Sequence, residues 1–232
     1  MNVLISQRHS LNSHGQWCDS LENEYITCFA AFGMTLLPVP NGSDFLDDMI
    51  RTVCPSGIIL SGGGDVSSAF SGLATSESAQ VSLLRDQTEA LLLEHALKHR
   101  IPVLGICRGL QYINVYFKGS LVPDINHLVP GICHPCPGKH LLSVIHTDLA
   151  KVMHSNHPVE VNSYHRQGVV QDGLSQELAV FAQEKELGLV EGLYHPRYPL
   201  AAVQWHPERA AQTTPLDRAL IEAFRDRTLF WR

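Results

Sequence analysis

Cys107 stands between two glycines in Gly105-Ile106-Cys107-Arg108-Gly109, directly after the apolar run Pro102–Ile106 and before a helix-like segment. A strand that turns sharply into a helix at such a residue lifts the side chain above the sheet edge, and the flanking glycines supply the room and backbone freedom for the turn. The N-terminus of the following helix favours a thiolate, and Arg108 adds positive charge beside it. These features predict a nucleophilic cysteine; small residues closing a buried strand are the plainer alternative.

Two further groups suit the same chemistry. His206-Pro207-Glu208 follows the strand-like run Leu200–Trp205, so the imidazole is expected at a rigid strand end, with a carboxylate two residues on to fix its tautomer and support its protonated form. Such His/Glu pairs are common on surfaces, and this one gains meaning only beside the cysteine. Ser61-Gly62-Gly63-Gly64-Asp65 also closes an apolar run. Its backbone N–H groups can approach a developing oxyanion, with the amide of Arg108 as a second donor. It lacks the Lys and Ser/Thr of a phosphate-binding P-loop, and a flexible turn is the bland alternative.

The remaining cysteines read differently. Cys28 and Cys54 lie in or beside apolar stretches and are expected to be buried, inert thiols. Cys133-His134-Pro135-Cys136, with His127 and His140 nearby, has the ligand types of a tetrahedral zinc site. No second C-x-x-C accompanies it, and Pro135 and Pro137 stiffen the segment, so we expect an irregular surface loop and no metal.

The elements that must position these residues alternate along the chain. Strands are expected at Asn2–Ser6, Met34–Val39, Gly57–Leu60 and Pro102–Ile106, with helices over 18–32, 43–52, 77–99 and 111–117. Asp19 or Ser20 would cap the first helix and Gly33 would end it. The long helix would bury Val81, Leu84, Thr88, Leu91 and His95. Near-continuous apolar strands alternating with helices point to an α/β fold, a mostly parallel sheet covered on both faces. Later strand candidates at 142–146, 159–162, 178–183, 187–194 and 200–205 follow closely enough to form a small antiparallel patch. A last helix over 215–230 would bury Leu216, Ala219, Leu220, Ala223 and Phe224.

With 232 residues and no linker or internal repeat, residues 1–232 are expected to form one domain. The formal charge of −6, from 17 basic and 23 acidic residues, includes no Lys/Arg block and offers nothing to nucleic acid or a membrane surface. No apolar run reaches the length of a membrane span, and the opening MNVLISQRHS lacks the layout of a signal peptide, so the expected location is the cytoplasm.

GICRGLQ around Cys107, WHPE around His206 and Glu208, and the SGGGD loop together resemble class I glutamine amidotransferase domains over nearly the whole chain. Within that superfamily, Val161–Gln167 (VNSYHRQ) resembles the VNS-x-H-x-Q segment of γ-glutamyl-γ-aminobutyrate hydrolases. The resemblance implies a flavodoxin-like core and a Cys107-His206-Glu208 triad without a cofactor. It implies that Gly63 and Gly64 form part of the oxyanion hole. Gln111, Ser163, Tyr164 and His165 would hold the glutamyl group of a small-molecule substrate. The chain departs from common forms at Gly64, where relatives often carry Asn or Pro, and in its Cys/His loop. The implied activity is hydrolysis of a γ-glutamyl amide. Ser6-Gln7-Arg8 and the acidic Asp19, Glu22 and Glu24 look more like a branch acting on γ-glutamyl-CDP-amidate, with Arg8 and Arg108 or Arg166 serving a diphosphate. A glutaminase subunit feeding ammonia to a separate synthetase, and a silent binding protein on the same fold, are the alternatives; a homodimer is left open.

Overall fold

The apolar runs come together as the centre of one nine-stranded sheet in the computed structural model, which describes residues 1–42, 44–72, 81–128, 137–154, 157–184, 186–209 and 213–232. In chain order the elements are β1 (Asn2–Ser6), β2 (Arg8–Leu11), β3 (Trp17–Ser20), α1 (Asn23–Ala31), β4 (Thr35–Val39), α2 (Leu46–Val53), β5 (Gly57–Leu60), the short α3 (Ser68–Ser71), α4 (Leu83–His99), β6 (Val103–Ile106) and α5 (Arg108–Tyr116). There follow β7 (Gly138–Val144), α6 (Thr147–Met153), β8 (Val159–Ser163), β9 (Ala179–Gln183), β10 (Val190–Tyr194), β11 (Leu200–Val203) and α7 (Pro215–Asp226).

The sheet order is β4-β1-β5-β6-β11-β10-β9-β7-β8. The first five strands are parallel and run second-first-third-fourth-fifth, the flavodoxin-like doubly wound order. The expected antiparallel patch is β10, β9, β7 and β8, and it continues the main sheet. Alternation along β1 divides the core: Val3 and Ile5 pack with α1, α6 and α7, whereas Leu4 packs with α2, α4 and α5. The last helix buries the expected stripe and starts at Pro215 behind a reciprocal Thr214–Asp217 capping box. Among the described residues, no helix is long and apolar enough to cross a membrane.

Three local expectations are corrected. Cys18–Ser20 is not helical: Arg8–Leu11 pairs with Trp17–Ser20 as a separate hairpin, with His9 stacked on Trp17 and Gly15 turning at φ +73°. Asp19 binds the backbone and side chain of Asn41 instead of capping a helix, so long-range pairing has overridden local cap chemistry. Cys54 is exposed, because it ends α2 in the left-handed conformation and turns outward. The α4 helix is rotated from the expected stripe. It leaves Leu84 and Leu91 exposed and buries Arg85, Asp86 and Glu89 ahead of Leu92, Leu93 and Ala96. An apolar-period reading misses a buried face that is charged.

Candidate active site

Loops leaving the carboxyl ends of β5, β6 and β11 converge, as expected for an open parallel sheet. A side-chain carbon added to Gly62 would stand 2.6 Å from His206 Cε1, 3.1 Å from the Tyr25 hydroxyl and 3.4 Å from Cys107 Cβ. Residues separated by up to 181 positions thus meet around one glycine.

Cys107 is bent into φ +54°, ψ −102°. A non-glycine residue in that region costs on the order of 1–3 kcal/mol and persists only where its surroundings force it. The surroundings are explicit. The Cys107 N–H donates to the Val203 carbonyl at 2.8 Å, and its carbonyl accepts from Leu110 N–H at 3.0 Å. A side chain at Gly109 would overlap the Leu60 carbonyl, and one at Gly105 would stand 2.7–2.9 Å from Ile113, Ala202 and Gly109. The glycine bracket is therefore a packing requirement of the turn.

His206 is 2% exposed, and its Nδ1 lies 2.5 Å from Glu208 Oε1. Asn162 holds its backbone on both sides: the His206 N–H donates to Asn162 Oδ1, and Asn162 Nδ2 donates to the His206 carbonyl, each at 2.8 Å. Burial pulls the imidazole pKa down, but the charge and hydrogen bond of Cys107 and the Glu208 carboxylate outweigh it and push it up to about 9. The arrangement favours an imidazolium braced by a carboxylate and facing the Cys107 side chain.

Sequence reasoning does not single out Tyr25 or Asn162. Tyr25 sits on a helix stripe that reads as core, yet its hydroxyl accepts from Gly62 N–H at 2.9 Å. Burial and the charges of Glu208 and Cys107 hold the phenol well above its ordinary pKa, so it stays protonated. Asn162 lies within the VNSYHRQ motif, one residue before the side chains expected to hold substrate.

The other expected residues divide. Gly63 and Gly64 take consecutive left-handed conformations at φ +88° and +73°, and Arg8 fills the space where a Gly63 side chain would stand. Tyr164 is exposed and meets His206 edge-on at 5.6 Å. Ser163 and His165 are buried, with His165 Nδ1 3.0 Å from the Gln167 carbonyl and Nε2 3.7 Å from Glu191. Gln111 is buried too, and its amide donates to the Gln167 carbonyl at 2.9 Å and to Gln204 Oε1 at 3.2 Å. The Arg108 guanidinium corrects the expectation that it charges the thiol or a diphosphate site: it is buried and ion-paired to Asp86 and Glu89. Its amide begins α5, where a helix supplies no acceptor. Cys133 and Cys136 lie outside the described residues. His140 is in β7 with Nε2 3.3 Å from Glu191, and among the described residues no His, Cys, Asp or Glu cluster could hold a metal ion.

Over the mouth, Glu22 joins two arginines. It pairs with Arg8 and takes a bidentate contact from Arg209 at 2.7–2.9 Å, while the Arg209 guanidinium lies 4.7 Å above the Tyr164 ring. A groove of about 740 Å³ is lined by Asn162, Tyr164, Trp205 and Arg209.

A doubly wound sheet with a bent cysteine and a His/Glu pair at its carboxyl edge is the form of glutamine amidotransferases. The solved structures agree on the fold. The glutaminase domain of Trypanosoma brucei CTPS, determined with acivicin bound, superposes with a TM-score of 0.66 at 14% identity, covering 100% of this chain and 96% of that one. A Thermoplasma acidophilum protein described as a component of GMP synthase gives 0.66 at 21% identity, covering 97% and 94%. The peptidase C26 family model matches residues 2–208, and the chain belongs to that family. It is 32% identical to the glutamine amidotransferase-like protein YvdE of Lactococcus lactis over 88% of this chain and 87% of YvdE. It is 30% identical to a γ-glutamyl-CDP-amidate hydrolase of Campylobacter jejuni over 66% of this chain and 62% of that protein. It is thus a hydrolase of the glutamine amidotransferase type.

Proposed function

We propose that this protein hydrolyses γ-glutamyl amide bonds with Cys107 as nucleophile, His206 as general acid and base, and Glu208 as the group orienting His206. The observation carrying this reading is the strained Cys107 opposite the buried His206–Glu208 pair. The Cys107 thiolate attacks the γ-carbonyl carbon, and the carbonyl electron pair moves onto oxygen, facing backbone N–H groups of Gly63, Gly64 and Arg108. The intermediate collapses with loss of the C–N bond as imidazolium His206 gives its proton to the departing nitrogen. Neutral His206 then takes a proton from water, whose oxygen attacks the thioester, and glutamate leaves as the thiolate is restored. Tyr164, and the backbone of Ser163–His165 with Gln111 beneath it, line the glutamyl side; no cofactor enters any step.

For the leaving group we favour a phosphate-bearing conjugate such as γ-glutamyl-CDP-amidate over γ-glutamyl-γ-aminobutyrate. The Campylobacter relative supports this, as does the mouth, where the Arg8 and Arg209 guanidiniums gather around Glu22 and could take a phosphate. Glutamate release from the nucleotide conjugate, γ-glutamyl-γ-aminobutyrate and glutamine tests both levels. A kcat/KM at least ~10²-fold higher for the conjugate, about 2.7 kcal/mol of transition-state preference, is expected. Equal efficiency on all three would overturn the phosphate reading; no release from any, by the isolated chain, would overturn the hydrolase reading.

A further inference from the structure

One buried side chain gathers the carbonyls of the glycine loop. Arg85, near the start of α4 and 3% exposed, donates from Nη2 to the Ser61 carbonyl at 2.6 Å and the Gly62 carbonyl at 3.3 Å, and from Nη1 to the Gly63 carbonyl at 2.7 Å. Nη2 also reaches Ser61 Oγ at 3.1 Å, and Nε donates to Glu89 Oε1 at 2.9 Å. A guanidinium presents five N–H donors in a fixed planar fork, and here the fork is occupied along three successive peptides.

The consequence follows from peptide geometry. In a trans peptide the carbonyl and the next residue's N–H point to opposite sides. Drawing the carbonyls of Ser61, Gly62 and Gly63 toward Arg85 turns the N–H groups of Gly62, Gly63 and Gly64 away from it. Gly62 obeys: its N–H reaches the Tyr25 hydroxyl beside Cys107 and His206. The left-handed Gly63 and Gly64 are the residues that tolerate the conformation this imposes.

The same helix turn holds the other half of the oxyanion site. Arg108, whose amide begins α5, sends its guanidinium to Asp86 and Glu89, and Glu89 also accepts from Ser6 at 2.8 Å. Two buried cations thus face two buried carboxylates, which balances their charge. Burial and Arg108 draw the Arg85 pKa down to about 10, so it stays charged at neutral pH.

We propose that Arg85 is the positioning residue of the oxyanion site: it clamps the Ser61–Gly63 carbonyls so that the loop amides face the substrate carbonyl, and through Glu89 it ties that loop to the elbow helix carrying Arg108. The catalytic part rests on the hydrolase reading; the clamp itself does not.

Arg85→Met and Arg85→Lys test it with three measurements on the full chain. Arg85→Met should raise backbone hydrogen exchange at Ser61 and Gly62, whose N–H groups bond Ser6 and Tyr25, by about tenfold or more. It should lower kcat on a γ-glutamyl amide by about 10²-fold, with KM changed less than about threefold. Alkylation of Cys107 by iodoacetamide, a displacement at saturated carbon that develops no oxyanion, should stay within about threefold of wild type. Arg85→Lys, keeping the charge but not the fork, should fall between. Unchanged exchange overturns the clamp, whether or not the chain hydrolyses anything. Normal kcat, or equal losses in hydrolysis and alkylation, overturns the oxyanion role. If wild type hydrolyses no γ-glutamyl amide, the hydrolase reading fails while exchange still decides the clamp. Should Arg85→Met not fold, Arg85→Lys carries the same comparisons.

Discussion

Gly62 and His206 touch through the space where a side chain would be: one carbon added at Gly62 would stand 2.6 Å from His206 Cε1. The imidazole has nowhere to retreat, since Glu208 holds Nδ1 and Asn162 holds its backbone from both sides. Gly62→Ala is therefore expected to displace the ring and lower kcat by about 10²-fold, the scale of an ångström misplacement in a reacting pair. Overpacking should cost about 1–3 kcal/mol as well. Steady-state kinetics together with thermal unfolding check this, and a normal kcat would show that the ring is not confined as described.

At Cys107 the strain and the chemistry can be separated. Cys107→Ser barely changes volume, so Tm should move by no more than about 2–4 °C while hydrolysis is lost. Cys107→Gly should be equally inactive yet unfold about 2–4 °C higher, because glycine adopts φ +54°, ψ −102° without the penalty borne by the thiol residue. A glutamine-like alkylating reagent should label Cys107 ahead of the exposed Cys18 and Cys54. Preferential labelling at Cys18 or Cys54, or an active serine variant, would sink the nucleophile assignment.

These residues also mark what is legible in the sequence. The parallel strands are readable because strands buried on both faces are written as short apolar runs, and the bracket around Cys107 because glycine there is a packing necessity. Tyr25 is hidden: an aromatic on an apolar stripe is written the same way whether its hydroxyl is idle or binds a glycine amide beside Cys107 and His206. Arg85, Asp86 and Glu89 are hidden more deeply, since periodicity arguments assign charge to the solvent face and so rotate α4 toward Leu84 and Leu91. Arg108 falls on the expected turn but its guanidinium points elsewhere, because its buried carboxylate partners lie about 20 residues away and only the fold brings them together.

The raised pKa of His206 has a stability consequence. The ring titrates at about 9 in the folded chain against an ordinary value of 6.5, so its protonated form stabilises the fold fully below pH 6.5. That contribution, about 3 kcal/mol, fades as pH rises and is gone above about 9. His206→Gln lacks it, so the difference in unfolding free energy between wild type and His206→Gln should shrink from pH 6.5 to above pH 9. In Cys107→Ser the thiolate's pull is absent, and the His206 titration followed by NMR should fall well below 9. A midpoint unmoved in Cys107→Ser would show that Glu208 alone sets the imidazole's charge.

The charge at the mouth gives a prediction about substrate class. Arg8 and Arg209 share Glu22, and Arg8 also covers Gly63, so an anionic leaving group would compete with the Glu22 carboxylate for both guanidiniums. Arg8→Gln should lower kcat/KM for the γ-glutamyl nucleotide conjugate by about tenfold or more, the worth of a lost charge-assisted contact, and change glutamine hydrolysis by less than about threefold. Glu22→Gln removes the competitor and adds one net positive charge, so it should raise efficiency on the conjugate alone. The gain should diminish with added salt, because these side chains are only half-buried and their fields are screened. Arg209→Gln is the less selective test, since Arg209 Nε also lies 3.9 Å from Glu208 and its loss reaches the His206–Glu208 pair. If Arg8→Gln lowers all three substrates equally, Arg8 serves only to cover the oxyanion loop, and the leaving group is recognised without phosphate.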